Sequence, residues 1–389
     1  MPIKPSQIVS LLQQKRSEFE AFDQSALQAF KLYQAALAEL AEKSNLQVME
    51  YLSSCNPDNR GAEPLEDLNQ GDNWIVRSGL RWPNRDESKA WARSRIAGVS
   101  TFAVDGSQIY PSKDLSIPVA LVQIGWYENP HDDALPYDKD IDLDVMTPAD
   151  LRASNSGEPV DRRVNMRRFE MEVNRLIEYM DDHSNCGNCL AFLDGSLVVT
   201  FAEAFDQETR DFYVKWVVKL LKASEQYRVP LVAYIDTTYA RDLAVLLQHT
   251  CHLPAIDSIH DAPLIAKGMQ WGDRTPLFRC RRPGILSQYA ATANRIAFTY
   301  LKAHDGYPVR LEMPVWVYEM GRHEHVLDWV RCEIIAGGGY PYVIETADQT
   351  AVLRSPDRQL FMRLLQDWAD REDLNLRLSR KMVSKVRRR

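Results

Sequence analysis

Between Ser100 and Gln248 the apolar residues change spacing in an order that few folds accommodate. Three extended runs come first, Ser100 to Asp105, Ile117 to Tyr127 and Asp140 to Met146. A helical stretch follows from Val164 to Asp181, with Phe169, Val173, Leu176, Ile177 and Met180 along one face. Spacing by threes and fours lays such a stripe along a helix. Then come a short apolar strand (Leu190 to Asp194), a helix (Phe201 to Ser224), a strand (Pro230 to Asp236) and a helix (Thr238 to Gln248). Strands alternating with helices pair in parallel through right-handed crossovers, while three successive strands fold as an antiparallel meander.

That order predicts an α/β fold class with an RNase H-like core. In such a sheet the first and fourth strands lie side by side and parallel, so their ends meet. Both ends carry the same tripeptide: TFAVDGSQIYP at Thr101 to Pro111 and FLDGSLVV at Phe192 to Val199. Taken alone, Asp-Gly is a strong hairpin signal. Two copies on adjacent parallel strands instead bring Asp105 and Asp194 together. Carboxylates that close repel unless a divalent cation neutralises them, and hard oxygen ligands favour Mg²⁺ or Mn²⁺. Such an ion activates water and stabilises the leaving oxygen of a phosphodiester. A third acid is expected from the helix between these strands, where Glu170 and Glu172 flank the apolar stripe and Glu178 comes next. Ser107 and Ser196 lack a Gly-x-Ser-x-Gly elbow, so they are expected to hold the turn or a phosphate oxygen rather than act as nucleophiles. No P-loop motif occurs in the sequence.

The flanks complete the expected organisation. Residues 1–55 read as a helical arm, striped by Phe19, Phe22, Ala26, Phe30, Tyr33, Leu37 and Leu40. Residues 56–95 join a polar linker, Asn56 to Asp72, to a stretch where Trp74, Trp82 and Trp91 interleave with Arg77, Arg81, Arg85, Arg93 and Arg95. Arginines among aromatics suit base stacking and phosphate neutralisation, and equally suit aromatics packed on a core. The main domain spans 96–370, and 371–389 is a basic tail. Within the main domain Pro254 to Ala293 reads as irregular, with a basic cluster at Arg279, Arg281 and Arg282. Val309 to Glu319 and Asp328 to Ala336 read as a strand hairpin, which puts His323 and His325 on one face. Val343 to Leu353 and Asp357 to Asp370 read as helices.

A net charge of -7 excludes a protein that coats nucleic acid with its whole surface, though not a local basic groove. Six scattered cysteines suggest a reducing compartment. Cys186 and Cys189 form a lone CxxC without further zinc ligands, read as a reduced loop pair. The opening MPIKPSQIVS lacks a signal-peptide core and no run approaches about 18 apolar residues. A soluble cytoplasmic protein that avoids membranes is expected.

These residues resemble the NurA nucleases. AVDGSQIYP is similar to that family's first DGS motif, FLDGSL to its second, and GGGYPYVIETADQTAVL to its YPY segment. The resemblance covers roughly Ile96 to Trp368. It implies metal ligation by Asp105, Asp194, a helix glutamate and Asp348, and places Tyr340 at the position of a catalytic-site tyrosine that also meets substrate. Asp348 stands where characterised members often have histidine. It can bind a metal but cannot act as an imidazole. The resemblance further implies a Mn²⁺-preferring 5′-to-3′ exonuclease and single-strand endonuclease. Such an enzyme would be homodimeric and would work on DNA ends in repair with a hexameric HerA-type ATPase. The alternative is a nucleic-acid-binding or adaptor protein that keeps the fold with weakened catalysis.

Overall fold

A computed structural model describes residues 3–53, 55, 60–68, 74–113, 115–152 and 160–377. Residues 56–59 and 69–72 of the expected polar linker and all of the basic tail beyond Arg377 lie outside the described residues. In chain order the described residues form helices α1 (Pro5–Gln14), α2 (Arg16–Ala41) and α3 (Asn45–Ser53), strand β1 (Gly61–Pro64) and helix α4 (Arg85–Ile96). Strands β2 (Ser100–Ile109), β3 (Ala120–Asn129) and β4 (Asp138–Met146) follow. Next come α5 (Pro148–Leu151), α6 (Val160–Asp182), β5 (Cys189–Asp194), α7 (Gln207–Tyr227) and β6 (Leu231–Ile235). The remainder comprises α8 (Asp242–Thr250), α9 (Asp261–Ile265), β7 (Phe278–Arg281), β8 (Ile296–Leu301) and β9 (Val309–Pro314). Helices α10 (Val315–Glu319), α11 (His323–Gly337), α12 (Tyr342–Ala351) and α13 (Ser355–Arg371) close the chain.

The chain divides into two units. One comprises Arg81–Tyr234, Gln288–Arg295 and Glu312–Arg389. Its strands run in the order β6-β5-β2-β3-β4. The meander β2-β3-β4 is antiparallel, and β5 lies parallel to both β2 and β6. Val104 pairs with Leu193, so Asp105 and Asp194 leave adjacent strands at the same level. Strand β5 is buried up to that point (Cys189 to Leu193), as the apolar run CLAFL requires. Helices α6 and α12 both pack on β2 and β3. Their seats are made by two glycines on opposite faces. A Cβ at Gly106 would lie 2.3 Å from Glu172 Oε1 and 2.6 Å from Arg168 Cγ on α6. A Cβ at Gly125, the β3 partner of Asp105, would lie 2.6 Å from the Ala351 amide nitrogen on α12.

The other unit comprises Met1–Leu80, Ile235–Ser287 and Ile296–Leu311. The helical arm expected over residues 1–55 consists of three helices, α1, α2 and α3. Only the second half of the α2 stripe is covered, with Tyr33, Leu37 and Leu40 buried. The Tyr33 hydroxyl donates to Pro254 O (2.8 Å) and accepts from Gln248 Nε2 (2.8 Å). Phe19 and Phe22 are 58% and 66% exposed, so the first half of the stripe has no such cover. Within the stretch read as polar linker, Gly61–Pro64 is a strand that pairs antiparallel with β7. Its buried Glu63 binds Arg60 (2.8 Å) and Arg281 (2.9 Å). Arg282 binds the buried Asp242 at 2.6 Å, so this basic cluster is partly consumed by structure.

Three further expectations are corrected. Pro254 to Ala293 contains α9 and β7 rather than irregular chain alone, and β8, a wholly buried strand, follows it unpredicted. The hairpin of Val309 to Ala336 does not form, because β9 ends at Pro314 and residues 323–337 are helical. The run VLDWVRCEII is buried nearly all round, and periodicity cannot separate a buried helix from a buried strand. His323 and His325 therefore lie two apart in a helical first turn, not on one face of a strand. Cys186 and Cys189 are joined as a disulfide with Cα atoms 5.7 Å apart, not a reduced pair. Among the described residues no helix is long and apolar enough to cross a membrane.

Candidate active site

Asp105 is half-buried where β2 passes between α6 and α12. Its Oδ1 accepts from the Gly106 amide at 2.7 Å. Burial, together with the nearby Asp194 and Asp348, pushes its pKa up to about 6. Asp194 is exposed at the end of β5, where Gly195 turns the chain with φ 137° and nothing within 4 Å of a would-be Cβ. The Tyr340 hydroxyl donates to Asp194 Oδ1 at 3.1 Å, and the Tyr340 ring meets Tyr234 edge-on with centroids 5.1 Å apart.

The α6 glutamates part company. Glu172 is 12% exposed and enters the space that Gly106 leaves. Its Oε1 is buried without a hydrogen-bond partner, although the Arg168 Nε lies 3.3 Å away. Burial, reinforced by Asp105 and Asp194 and opposed by Arg168, pushes its pKa up to about 8. Glu170 instead pairs with Arg167 at 3.1 Å, and Arg167 also binds Asp144 at 2.6 Å on β4. Glu178 is 63% exposed and pairs with Arg175 at 3.3 Å. Asp194 and Asp348 thus lie near Asp105, Glu172 approaches from the α6 side at Gly106, Tyr340 sits on Asp194, and Glu170 is held by Arg167 instead.

The two serines are engaged by the fold. Ser107 Oγ accepts from the Leu353 amide (3.1 Å) just past α12. Ser196 Oγ donates to Glu312 Oε2 (2.8 Å) and accepts from the Val198 amide (3.0 Å). The space beside Gly106 is filled by Glu172 and Arg168.

Two fully buried carboxylates that the sequence reading passed over hold these parts in place. Glu312 on β9 accepts from Ser196 and from the Leu197 amide (2.7 Å), so it fixes the turn after Asp194. Glu333 on α11 accepts from Thr101 on β2 (2.7 Å) and from the Val343 amide in the first turn of α12 (2.9 Å). His131 Nε2 reaches the same carboxylate at 3.3 Å and its Nδ1 lies 2.7 Å from Val99 O. Gln123 Nε2 donates to Ala351 O (2.8 Å) at the other end of α12. The available signal was an acid inside an apolar run, RLEMP and CEII, because a buried charge must be hydrogen-bonded to be tolerated.

The donor set suits a divalent cation. It consists of hard carboxylate oxygens, and burial first, then neighbouring carboxylates, raises the pKa values of Asp105 and Glu172. Asp194 and Asp348 are exposed to solvent, while Glu172 is largely buried.

Against known protein families, residues 99–353 match the NurA domain, well over half of the chain. No curated protein matches the chain significantly. With paired DGS aspartates on adjacent parallel strands and the GGGYPY segment beside them, the chain belongs to the NurA family of nucleases.

Proposed function

We propose that this protein is a metal-dependent DNA nuclease built on an RNase H-like core, with Asp105, Asp194, Glu172 and Asp348 as the ligand set. The carrying observation is that the two DGS aspartates leave adjacent parallel strands at the same level, with Tyr340 on Asp194 and Glu172 seated beside Gly106. A bound Mn²⁺ or Mg²⁺ would neutralise the cluster and supply Lewis-acid stabilisation of a phosphodiester in its transition state. The chain's own groups do the positioning. Tyr340 holds Asp194 in one rotamer through its hydroxyl proton. Gly106 admits Glu172 from one face of the sheet and Gly125 admits α12, with Asp348, from the other. Asp348 adds an acceptor where an imidazole would bring a neutral nitrogen, which favours a harder ion.

In this reading the enzyme trims DNA ends from 5′ to 3′, nicks single strands and works in end resection with a HerA-type ATPase. Delivery of DNA by a motor is consistent with the net charge of -7. We propose a homodimer, for which the exposed apolar residues Ile8, Leu11, Leu12, Phe19 and Phe22 of α1 and α2 offer a surface. The test is cleavage of end-labelled single-stranded and duplex DNA by purified protein with Mn²⁺, Mg²⁺ or chelator. Cleavage should need the metal and vanish in Asp105→Ala and Asp194→Ala variants that keep the wild-type circular dichroism. Folded variants that cleave like wild type would overturn the assignment. A wild type that binds DNA and no metal would favour the adaptor alternative.

A further inference from the structure

Just ahead of the family match, Trp82 and the helix α4 present a surface that catalysis at the carboxylates does not use. Trp82 and Trp91 lie ring against ring, with centroids 5.2 Å apart and planes at 51°. Neither is sunk into a core; both remain partly exposed, whereas Trp74 is fully buried against Phe278. The interleaving of tryptophan and arginine therefore has two outcomes, one packed inside and one left at the surface.

Around the exposed pair the charge is mainly positive. Arg81, Arg85 and Arg93 are exposed and Lys89 is partly so, against Asp86 and Glu87 in the first turn. Among the described residues Arg85, Lys89 and Arg93 form no ion pair, while Arg95 is taken by Asp328 at 2.7 Å. Helix α4 packs along α11 with Arg95 beside Asp328 and Arg85 at the far end, beside Gly338. Arg85 Nη2 lies 4.0 Å from where a Gly338 Cβ would be. Gly338 is exposed, in the left-handed conformation (φ 73°), and two residues later Tyr340 touches Asp194. Arg85, the first residue of α4, thus lies next to the segment that enters the active site.

We propose that Trp82, Trp91, Arg85, Lys89 and Arg93 form a subsite for a single nucleic-acid strand, which stacks unpaired bases on the tryptophans and neutralises the phosphates leading to Asp194. Aromatic faces bind any unpaired base, and cations spaced along a helix follow the backbone, so the subsite selects unpaired strands without reading sequence. Bases stacked within a duplex have no free face to offer. This rests on the nuclease reading for its substrate, yet it is testable without cleavage.

The experiment is fluorescence anisotropy of a short fluorescein-labelled oligothymidylate with the full chain in EDTA, repeated across a salt series. Trp82→Ala and Trp91→Ala should each raise Kd by about 10-fold, the scale of one lost base stack. Trp82→Phe, which keeps a ring, should stay within about threefold. Arg85→Ala should flatten the slope of log affinity against log salt by about 0.7 and Arg85→Lys should preserve it. A blunt duplex of equal length should bind more weakly than the single strand. Wild-type affinity in the folded tryptophan variants, equal binding of the duplex, or no binding by wild-type protein would overturn the subsite. Asp105→Ala, run in parallel, separates the two claims because it should bind the oligothymidylate as wild type does while failing to cleave.

Discussion

The same tripeptide, Asp-Gly-Ser, occurs at 105–107 and 194–196 and does two different jobs. The first copy lies within a continuous strand, pressed between α6 and α12, where its glycine is needed because Glu172 and Arg168 fill the space a Cβ would take. The second copy ends its strand in the open, where its glycine is needed for φ 137° and nothing crowds it. Asp105 is half-buried and protonates with a pKa of about 6, while Asp194 is exposed and held by Tyr340. Ser107 fastens the chain after α12, and Ser196 fastens its own turn to the buried Glu312. Identical sequence fixes identical chemistry at the aspartate. What packs on it decides the rest.

The largest expected effect is one that both copies share. Asp105→Asn and Asp194→Asn should each lower metal-supported cleavage about 10³-fold, the scale of several kcal/mol of transition-state charge stabilisation. They should then separate on stability. Removing the half-buried carboxylate at 105 should raise the melting temperature of metal-free protein at neutral pH, and removing the exposed one at 194 should leave it nearly unchanged.

The glycines sharpen the contrast. Gly106→Ala must displace Glu172 and should destabilise by about 1–3 kcal/mol, as overpacking does. It should also weaken metal binding. Gly195→Ala meets no atom and should cost about 1 kcal/mol of backbone strain, read as a shift of the urea midpoint at unchanged slope.

Acidity gives a third comparison. Burial raises the Glu172 pKa from 4.5 to about 8, so the folded state prefers the protonated acid. Its contribution to stability is present in full below about pH 4.5 and is lost as pH rises through about 8. Metal-free protein should therefore lose melting temperature across that window. Glu172→Gln should flatten the loss, and saturating Mn²⁺ should offset it. The serines give the last comparison. Ser196→Ala strips a donor from the buried Glu312 and should cost about 1–3 kcal/mol, against about 1 kcal/mol for Ser107→Ala, whose partner is a single amide.

Much of this was legible in the sequence. The order of spacings predicts the meander, the parallel β5 and β6 and the crossover helices. The repeated tripeptide then marks Asp105 and Asp194. The choice between Glu170 and Glu172 was not legible, because both flank the α6 stripe and only the seat at Gly106 distinguishes them. Gly125 was invisible for the same reason, since its close neighbour is the backbone of α12, more than 220 residues away in the chain. Helix α11 was misread because burial on all sides erases periodicity, and Glu333 was hidden inside it. Glu312 sat unremarked in a strand that was otherwise well placed.

The central claim is that Glu172, entering beside Gly106, completes the cation site with Asp105, Asp194 and Asp348. Calorimetric titration of Mn²⁺ into wild-type protein, Glu172→Gln and Glu170→Gln tests it most directly. The account predicts that Glu170→Gln binds as wild type does and that Glu172→Gln binds at least about 10-fold more weakly. Loss of binding in Glu170→Gln with retention in Glu172→Gln would contradict it.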